Sequence, residues 1–467
     1  MQLHSDLVRY SKSGEFIKVF KMFAPTLNRK GVFMKQKIKQ TPCAESLRQY
    51  LMTSSLHGLK YIGATNLSLV ERIFFASSFV LVVLLSGYFI TNVYNKWEQS
   101  PIIITLGSRA MDVTALPFPA VTICNINKAR HSVVRKFSKH STENVLLQNF
   151  CYDEYENISL SNDAGEEAKG EWNTFKHFLT NISQPCREML ILCRFALKTI
   201  RCMEYFETVL SDEGICCTFN SVFPAYLYKN PQNASGNIED DSTEIFGIPT
   251  DWTLEHGYSE NVNRSDVVPR PSAGSGSHLG LHVILNADIS DYYCSSTNSA
   301  GFKILLHNPT ETPRISEYGL LVPPGRQSRI IITPRISTAS KIIEKIPIDH
   351  RQCLFPNEAN LSYFRTYSRK NCEMECISRI IEQICGCVVY YLPRFNKNTK
   401  ICNRVESNCY NIVRIAMERG EDKDHKCECL AGCYELSFTG DLSSNPLTTT
   451  FFQKEEILNN FNNDTLQ

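Results

Sequence analysis

At 467 residues, with 43% apolar and 21% charged side chains, the chain has ordinary globular composition and enough length for two or three domain-sized cores. A net charge of +1 excludes any global electrostatic case for nucleic acid or a polyacidic partner. The nineteen cysteines are more informative, because a thiol-rich chain is either a zinc protein of the cytosol or a disulfide protein outside it.

Residues 1–72 are mostly polar and read as a cytosolic segment. Within "RIFFASSFVLVVLLSGYFITNVYNKW", Ile73 to Val93 runs about 21 residues without a charge, which at ~1.5 Å per residue spans roughly 30 Å, the hydrocarbon thickness of a bilayer. Residues 73–93 are therefore predicted as a transmembrane helix, with Tyr, Lys and Trp behind it as interfacial anchors. The leading polar segment and the length of the run argue against a signal peptide. Lys60 and Arg72 before the span balance Lys96 and Arg109 after it, so the local charge count does not orient the helix. Over the whole leader, twelve Lys/Arg against Asp6, Glu15, Glu45 and Glu71 favour a cytosolic N-terminus.

Two downstream features agree. Sequons occur at Asn157, Asn181, Asn233, Asn263 and Asn360, with a sixth at Asn463 near the end, and each is a candidate glycosylation site. Only Cys43 precedes the span, leaving eighteen cysteines after it, enough for nine bridges. "CECLAGC" (Cys427 to Cys433) then reads as disulfide sulfur in an extracellular domain. The zinc alternative lacks a His-x-x-His partner or a second close CxxC, and no metal or cofactor is expected.

Along that domain, Lys229 to Ser277 is rich in Asn, Ser, Gly, Pro and acidic residues and reads as a long loop or insertion. "GLHVILNADI" (Gly280 to Ile289), "GFKILLHNP" (Gly301 to Pro309) and "SRIIITP" (Ser328 to Pro334) read as strands, with "LVPPG" a turn between the last two. A helix is predicted over Tyr363 to Ile384, capped by Asn360 or Ser362, with Ile377, Ile380, Ile381 and Ile384 at helical spacing and Cys372 and Cys376 on one face. A second helix is predicted over "NCYNIVRIAMERG", ending at Gly420. No second run of 18 apolar residues follows Val93, so the chain as written is expected to cross the membrane once.

Five segments in order, "LPFPAVTICNIN", "GICCTFN", "YSRKNCEMEC", "CGCVVYYLPR" and "CECLAGC", resemble the degenerin/epithelial sodium channel superfamily, and "GFKILLHNPTETP" is most similar to its insect pickpocket branch. The resemblance covers roughly residues 55–446. It implies an α+β fold: one N-terminal transmembrane helix, then a large disulfide-rich extracellular domain over 94–446 with a β-sheet palm and helical finger and thumb, and a divergent tail over 447–467. It also implies a non-voltage-gated, amiloride-sensitive-type sodium channel subunit of the plasma membrane, not an enzyme, with sodium ions, the lipid bilayer and other subunits of a homo- or heterotrimer as partners.

By position in the family motifs, Cys353 is expected to bond Cys433, Cys372 to bond Cys429 and Cys376 to bond Cys427, a nested ladder joining two thumb helices. Cys385 with Cys409, Cys387 with Cys402, Cys193 with Cys202 and Cys124 with Cys216 complete the implied map, leaving Cys151, Cys186, Cys217 and Cys294 unassigned. His57 and Gly58 match the family's gating His-Gly motif, a pair that elsewhere is an ordinary turn. Trp97 is read either as a contact for the base of the thumb or as an interfacial anchor. The family's second helix, with its small-residue filter, does not follow "YELSFTGDLSSNPL". A trimer of this chain alone is accordingly expected to lack a selective pore. Three readings stand: a channel subunit whose sequence continues elsewhere, a pore-less regulatory or decoy subunit joining full-length partners, and an anchored adhesion receptor or ectoenzyme. HExxH, G-x-S-x-G and P-loop motifs are all absent, which argues against the enzyme.

Overall fold

The computed structural model describes residues 42–448 apart from 57, 100–103, 108–109, 152–171, 231–247, 250–251, 259–266, 397 and 421–426. The chain divides into two compact units, Met1–Trp97 and Glu98–Gln467.

The first unit holds helices α1 (Pro42–Thr53), α2 (Leu59–Gly63) and α3 (Leu69–Gln99). A capping box starts α3: the Glu71 carboxylate accepts from Ser68 N at 2.7 Å and Ser68 Oγ at 2.9 Å. None of its residues is buried, although its centre is apolar all round, the pattern of a helix whose solvent is lipid. Among the described residues it is the one helix long and apolar enough to cross a membrane. It runs 31 residues, four before and six beyond the predicted span of 73–93, so Trp97 is helical.

The second unit begins with β1 (Ala120–Asn125) and β2 (Asn127–Arg130), helices α4 (Thr142–Cys151) and α5 (Trp172–Ile182), then β3 (Leu190–Phe195), β4 (Lys198–Ile200), β5 (Phe206–Ser211) and β6 (Gly214–Phe219). After β7 (Leu281–Leu285), β8 (Tyr292–Ser295) and β9 (Phe302–His307) come the single-turn helix α6 (Ile315–Tyr318), β10 (Leu320–Val322) and β11 (Arg326–Ser337). Helices α7 (Arg369–Cys385) and α8 (Arg404–Arg419) and strand β12 (Glu435–Pro446) follow.

An antiparallel five-stranded sheet, β10-β9-β1-β6-β5, lies at its centre. Both faces are covered, which is why "AVTICN" and "FKILLH" are buried along their whole length instead of alternating. Register sorts the side chains. Val121 and Ile123 face the same way as Phe219, Cys217, Leu306 and Ile304, into the largest apolar cluster. Thr122 and Cys124 face the other way with Thr218, Lys303 and, two residues along, His307. Strands β11 and β12 pair over twelve residues as a two-stranded ribbon, and Pro334 is tolerated in β11 because every ribbon strand has an open edge.

Three predicted elements have different bounds in the structure. The helix predicted from Tyr363 begins at Arg369, because Ser368, not Asn360 or Ser362, caps it by accepting from Asn371 N at 3.1 Å. The intervening segment is non-helical: Phe364 bridges Tyr228, and the amides of Ser362, Tyr363 and Phe364 bind the Glu375 carboxylate at 2.7–3.1 Å. The strand predicted to Ile289 stops at Leu285, since Asp288 adopts a left-handed conformation (φ 44°) and opens a single 3-10 turn. The second predicted helix, Asn408–Gly420, runs from Arg404 to Arg419, starting four residues earlier than predicted.

Candidate functional site

Gly58 has φ 95° and sits at the N-terminus of α2, a conformation that carries little cost only for glycine. A Cβ there would stand 3.8 Å from the Phe79 ring, and Tyr61 stacks on Phe75 at 4.8 Å, so α2 lies along α3. His57 lies outside the described residues. Trp97 is exposed on α3, 5.9 Å from the Tyr94 ring.

Nine disulfides join the cysteines of the second unit. The structure bonds Cys124 to Cys216, Cys193 to Cys202, Cys353 to Cys433, Cys372 to Cys429, Cys376 to Cys427, Cys385 to Cys409 and Cys387 to Cys402. The four cysteines left unassigned pair as Cys151 with Cys294 and Cys186 with Cys217. Adjacent Cys216 and Cys217 point to opposite faces of β6, so they bond partners on opposite sides of the sheet.

The nested ladder does not join helix to helix as expected. Cys372 and Cys376 are on α7, but Cys427 and Cys429 lie on the non-helical segment beyond α8. Four residues of helix rise about 6 Å and two extended residues rise about 6.6 Å, so the i,i+4 and i,i+2 spacings match only this way. Direct helix-to-helix linkage falls to Cys385–Cys409.

The second face of the sheet carries buried ionisable groups that the motifs did not single out. Lys303 Nζ of β9 pairs with Glu213 Oε1, both side chains less than 10% exposed. Asp212 beside it accepts from Ile315 N at 2.8 Å and Ser316 N at 3.0 Å, holding α6 against the turn between β5 and β6. Burial raises the Asp212 carboxyl against the lowering effect of the Ser316 and Ile315 hydrogen bonds. Farther along this face Thr122 Oγ1 is 2.8 Å from both Thr218 Oγ1 and His307 Nε2. The Asn308 carbonyl, 3.0 Å from His307 Nδ1, can only accept, so Nδ1 carries the proton and Nε2 accepts from Thr122.

Burial pushes the His307 imidazole down to about 4 from 6.5. The unfolded chain therefore takes up a proton near 6.5 and the native chain does not until about 4. Stability from this group is complete above pH 6.5 and falls as pH drops through that window, by on the order of 3 kcal/mol. Glu207 on β5, pushed up to about 8 by burial, acts in the opposite sense: stability falls as pH rises from 4.5 to 8. Comparison with a variant separates the two. His307→Gln is expected to flatten the acid limb between pH 6.5 and 4, read from thermal unfolding of the solubilised chain, and an unchanged limb would refute the assignment.

Two anchors tie α7 to its surroundings. Asn371, fully buried, donates from Nδ2 to Thr310 O at 3.1 Å and Thr366 O at 3.3 Å. Glu375 holds the non-helical segment before the helix. Both stand in "NCEMEC", where the cysteines alone carry a motif signal. Of the sequons, Asn181 and Asn360 are exposed, and Asn360 Oδ1 accepts from Lys229 Nζ at 2.5 Å. Asn157, Asn233, Asn263 and Asn463 lie outside the described residues.

The profile of the amiloride-sensitive sodium channel family matches residues 50–467. Pickpocket protein 28 of Drosophila melanogaster is 41% identical over 400 residues, covering 85% of this chain and 64% of that relative. The chain thus spans less than two thirds of that relative's length. Sodium channel protein Nach of Drosophila melanogaster is 23% identical, covering 88% of this chain and 76% of the relative. Acid-sensing ion channel 1A of Danio rerio is 24% identical, covering 85% and 71%. The family is one of ion channels, not enzymes. With its profile reaching from the end of α1 through the disulfide-rich unit, and a pickpocket relative above 40% identity, the chain belongs to the amiloride-sensitive sodium channel family as an insect pickpocket-like member.

Proposed function

We propose that the chain is a subunit of a non-voltage-gated, amiloride-blockable sodium channel of the plasma membrane, with a cytosolic N-terminus and an extracellular second unit that senses the stimulus. The observation that carries this reading is the 41% identity to a pickpocket protein over 400 residues. The bonded cysteines of the second unit fit an oxidising, extracellular setting, and α3 fits a lipid one. In this reading the five-stranded sheet is the palm, the α7–α8 pair the thumb, and α4 with α5 the finger. His57 and Gly58 shape the turn before the membrane helix and influence gating, and Trp97 meets the base of the thumb or the interface. Glycans occupy Asn157, Asn181, Asn233, Asn263 and Asn360, and the subunit assembles in a trimer with copies of itself or with related subunits.

Co-expression with a full-length pickpocket-type subunit tests this. The expected result is co-purification and a sodium-dependent, amiloride-blockable current that differs in size or activation from the partner's own. A complex that only suppresses the partner's current selects the regulatory or decoy form. No association and an unchanged current would overturn the proposal.

A further inference from the structure

The loop between α7 and α8 carries Tyr390, whose ring lies 5.8 Å from Phe150 of α4 and 5.7 Å from Phe175 of α5. It packs against both the apolar cluster of the helix pair and that of α4 and α5. Its phenol reaches past these rings and donates to the backbone carbonyl of Asp212 at 2.9 Å.

That carbonyl belongs to a two-residue turn, since Ser211 pairs directly with Gly214. The turn is held from every other side as well. Asp212 binds the first amides of α6 through its carboxylate, Glu213 pairs with Lys303 of β9, and Ser211 Oγ takes the Glu213 amide at 3.1 Å. Gly214 has φ 98°, and a Cβ there would stand 3.1 Å from Phe150 Cζ, so Phe150 touches both the turn and Tyr390. Three separate parts of the unit therefore meet at four residues. None of these contacts is a covalent link, although disulfides hold the α7–α8 pair and the sheet internally. Displacement of the α7–α8 loop has a short non-covalent route into β5, β6 and β9 through this turn.

From this geometry we infer that residues 211–214 form a relay between the α7–α8 pair and the central sheet, with Tyr390 as its positioning residue. The inference deepens the gating reading above but rests on contacts that exist whether or not the chain conducts.

Amide hydrogen exchange on the full chain in detergent tests it, comparing the parent with Tyr390→Phe, which keeps the ring and loses one hydrogen bond. Exchange is expected to rise about three- to tenfold at residues 212–214 and at Ile315 and Ser316, neither of which Tyr390 touches, with residues 374–381 of α7 unchanged. In the reverse direction, Gly214→Ala strains the turn and is expected to speed exchange across 388–402. A response of Tyr390→Phe confined to 388–402, with Ile315 and Ser316 as slow as in the parent, would overturn the relay. Co-expression with a full-length partner separates it from the functional proposal. If the parent alters the partner's current, Tyr390→Phe should shift its activation without changing surface amount, and an unshifted activation refutes the relay. If the parent leaves the current unaltered, the gating reading fails and the exchange result alone decides the relay.

Discussion

Lys303→Met is expected to lower the stability of the second unit by about 3–5 kcal/mol. Lys303 and Glu213 are both buried, and Glu213 Oε2 has no hydrogen-bond partner of its own. Removing the ammonium leaves a carboxylate in a low-dielectric site with nothing opposite it, so the cost is that of an unpaired buried charge, not that of one lost contact. The double variant Lys303→Met/Glu213→Leu removes both charges and should recover most of the loss, because a buried pair is roughly balanced by an apolar replacement of similar volume. Unfolding of the solubilised chain in a graded denaturant series measures both. A single variant within 1 kcal/mol of the parent would show that water reaches the pair and would sink the prediction.

Removing the outer rung of the ladder, by Cys353→Ser with Cys433→Ser, ranks second. Taken alone the bridge closes 80 residues, for which the chain-entropy relation gives about 4.5 kcal/mol. The inner rungs shorten the ring that it closes. With Cys372–Cys429 intact, the ring is the 19 residues from Cys353 to Cys372 and the 4 from Cys429 to Cys433, for which the same relation gives roughly 3 kcal/mol. The innermost rung, Cys376–Cys427, closes only 4 and 2 residues beyond its neighbour, or about 2 kcal/mol. The outer double variant should therefore unfold at lower denaturant than the inner one. The reverse order would mean that native-state geometry, not loop closure, governs these bridges.

The value of each rung thus depends on which others are present, a property that spacing hints at and only the connected structure settles. The same division runs through the rest of the molecule. Ile73 to Val93 announces a long apolar helix by lacking charge, because a run of bilayer length is a local signal that needs no distant partner. The strands around "GFKILLHNP" are legible for a similar reason: β-branched and apolar residues bounded by Gly and Pro act within a few residues of themselves. The boundaries at Arg369 and Leu285 were not legible, since they turn on a choice among several nearby caps and on a left-handed Asp288.

The buried face was less legible still. Lys303 looks like a lone charge near the start of an apolar strand, and it becomes half of a buried pair only because Glu213, 90 residues earlier, is brought opposite it. His307 and Thr122 are 185 residues apart, and Tyr390 and Asp212 are 178 apart. By itself the sequence determined the apolar helix, the family, and the element type at three strands and two helices of the second unit, all of which depend on composition or on motifs of a few residues. Only the tertiary structure decided which charges are paired, which carboxylates anchor backbone amides, and where the α7–α8 loop meets the sheet. Those depend on distances between residues remote in sequence, which no local pattern encodes.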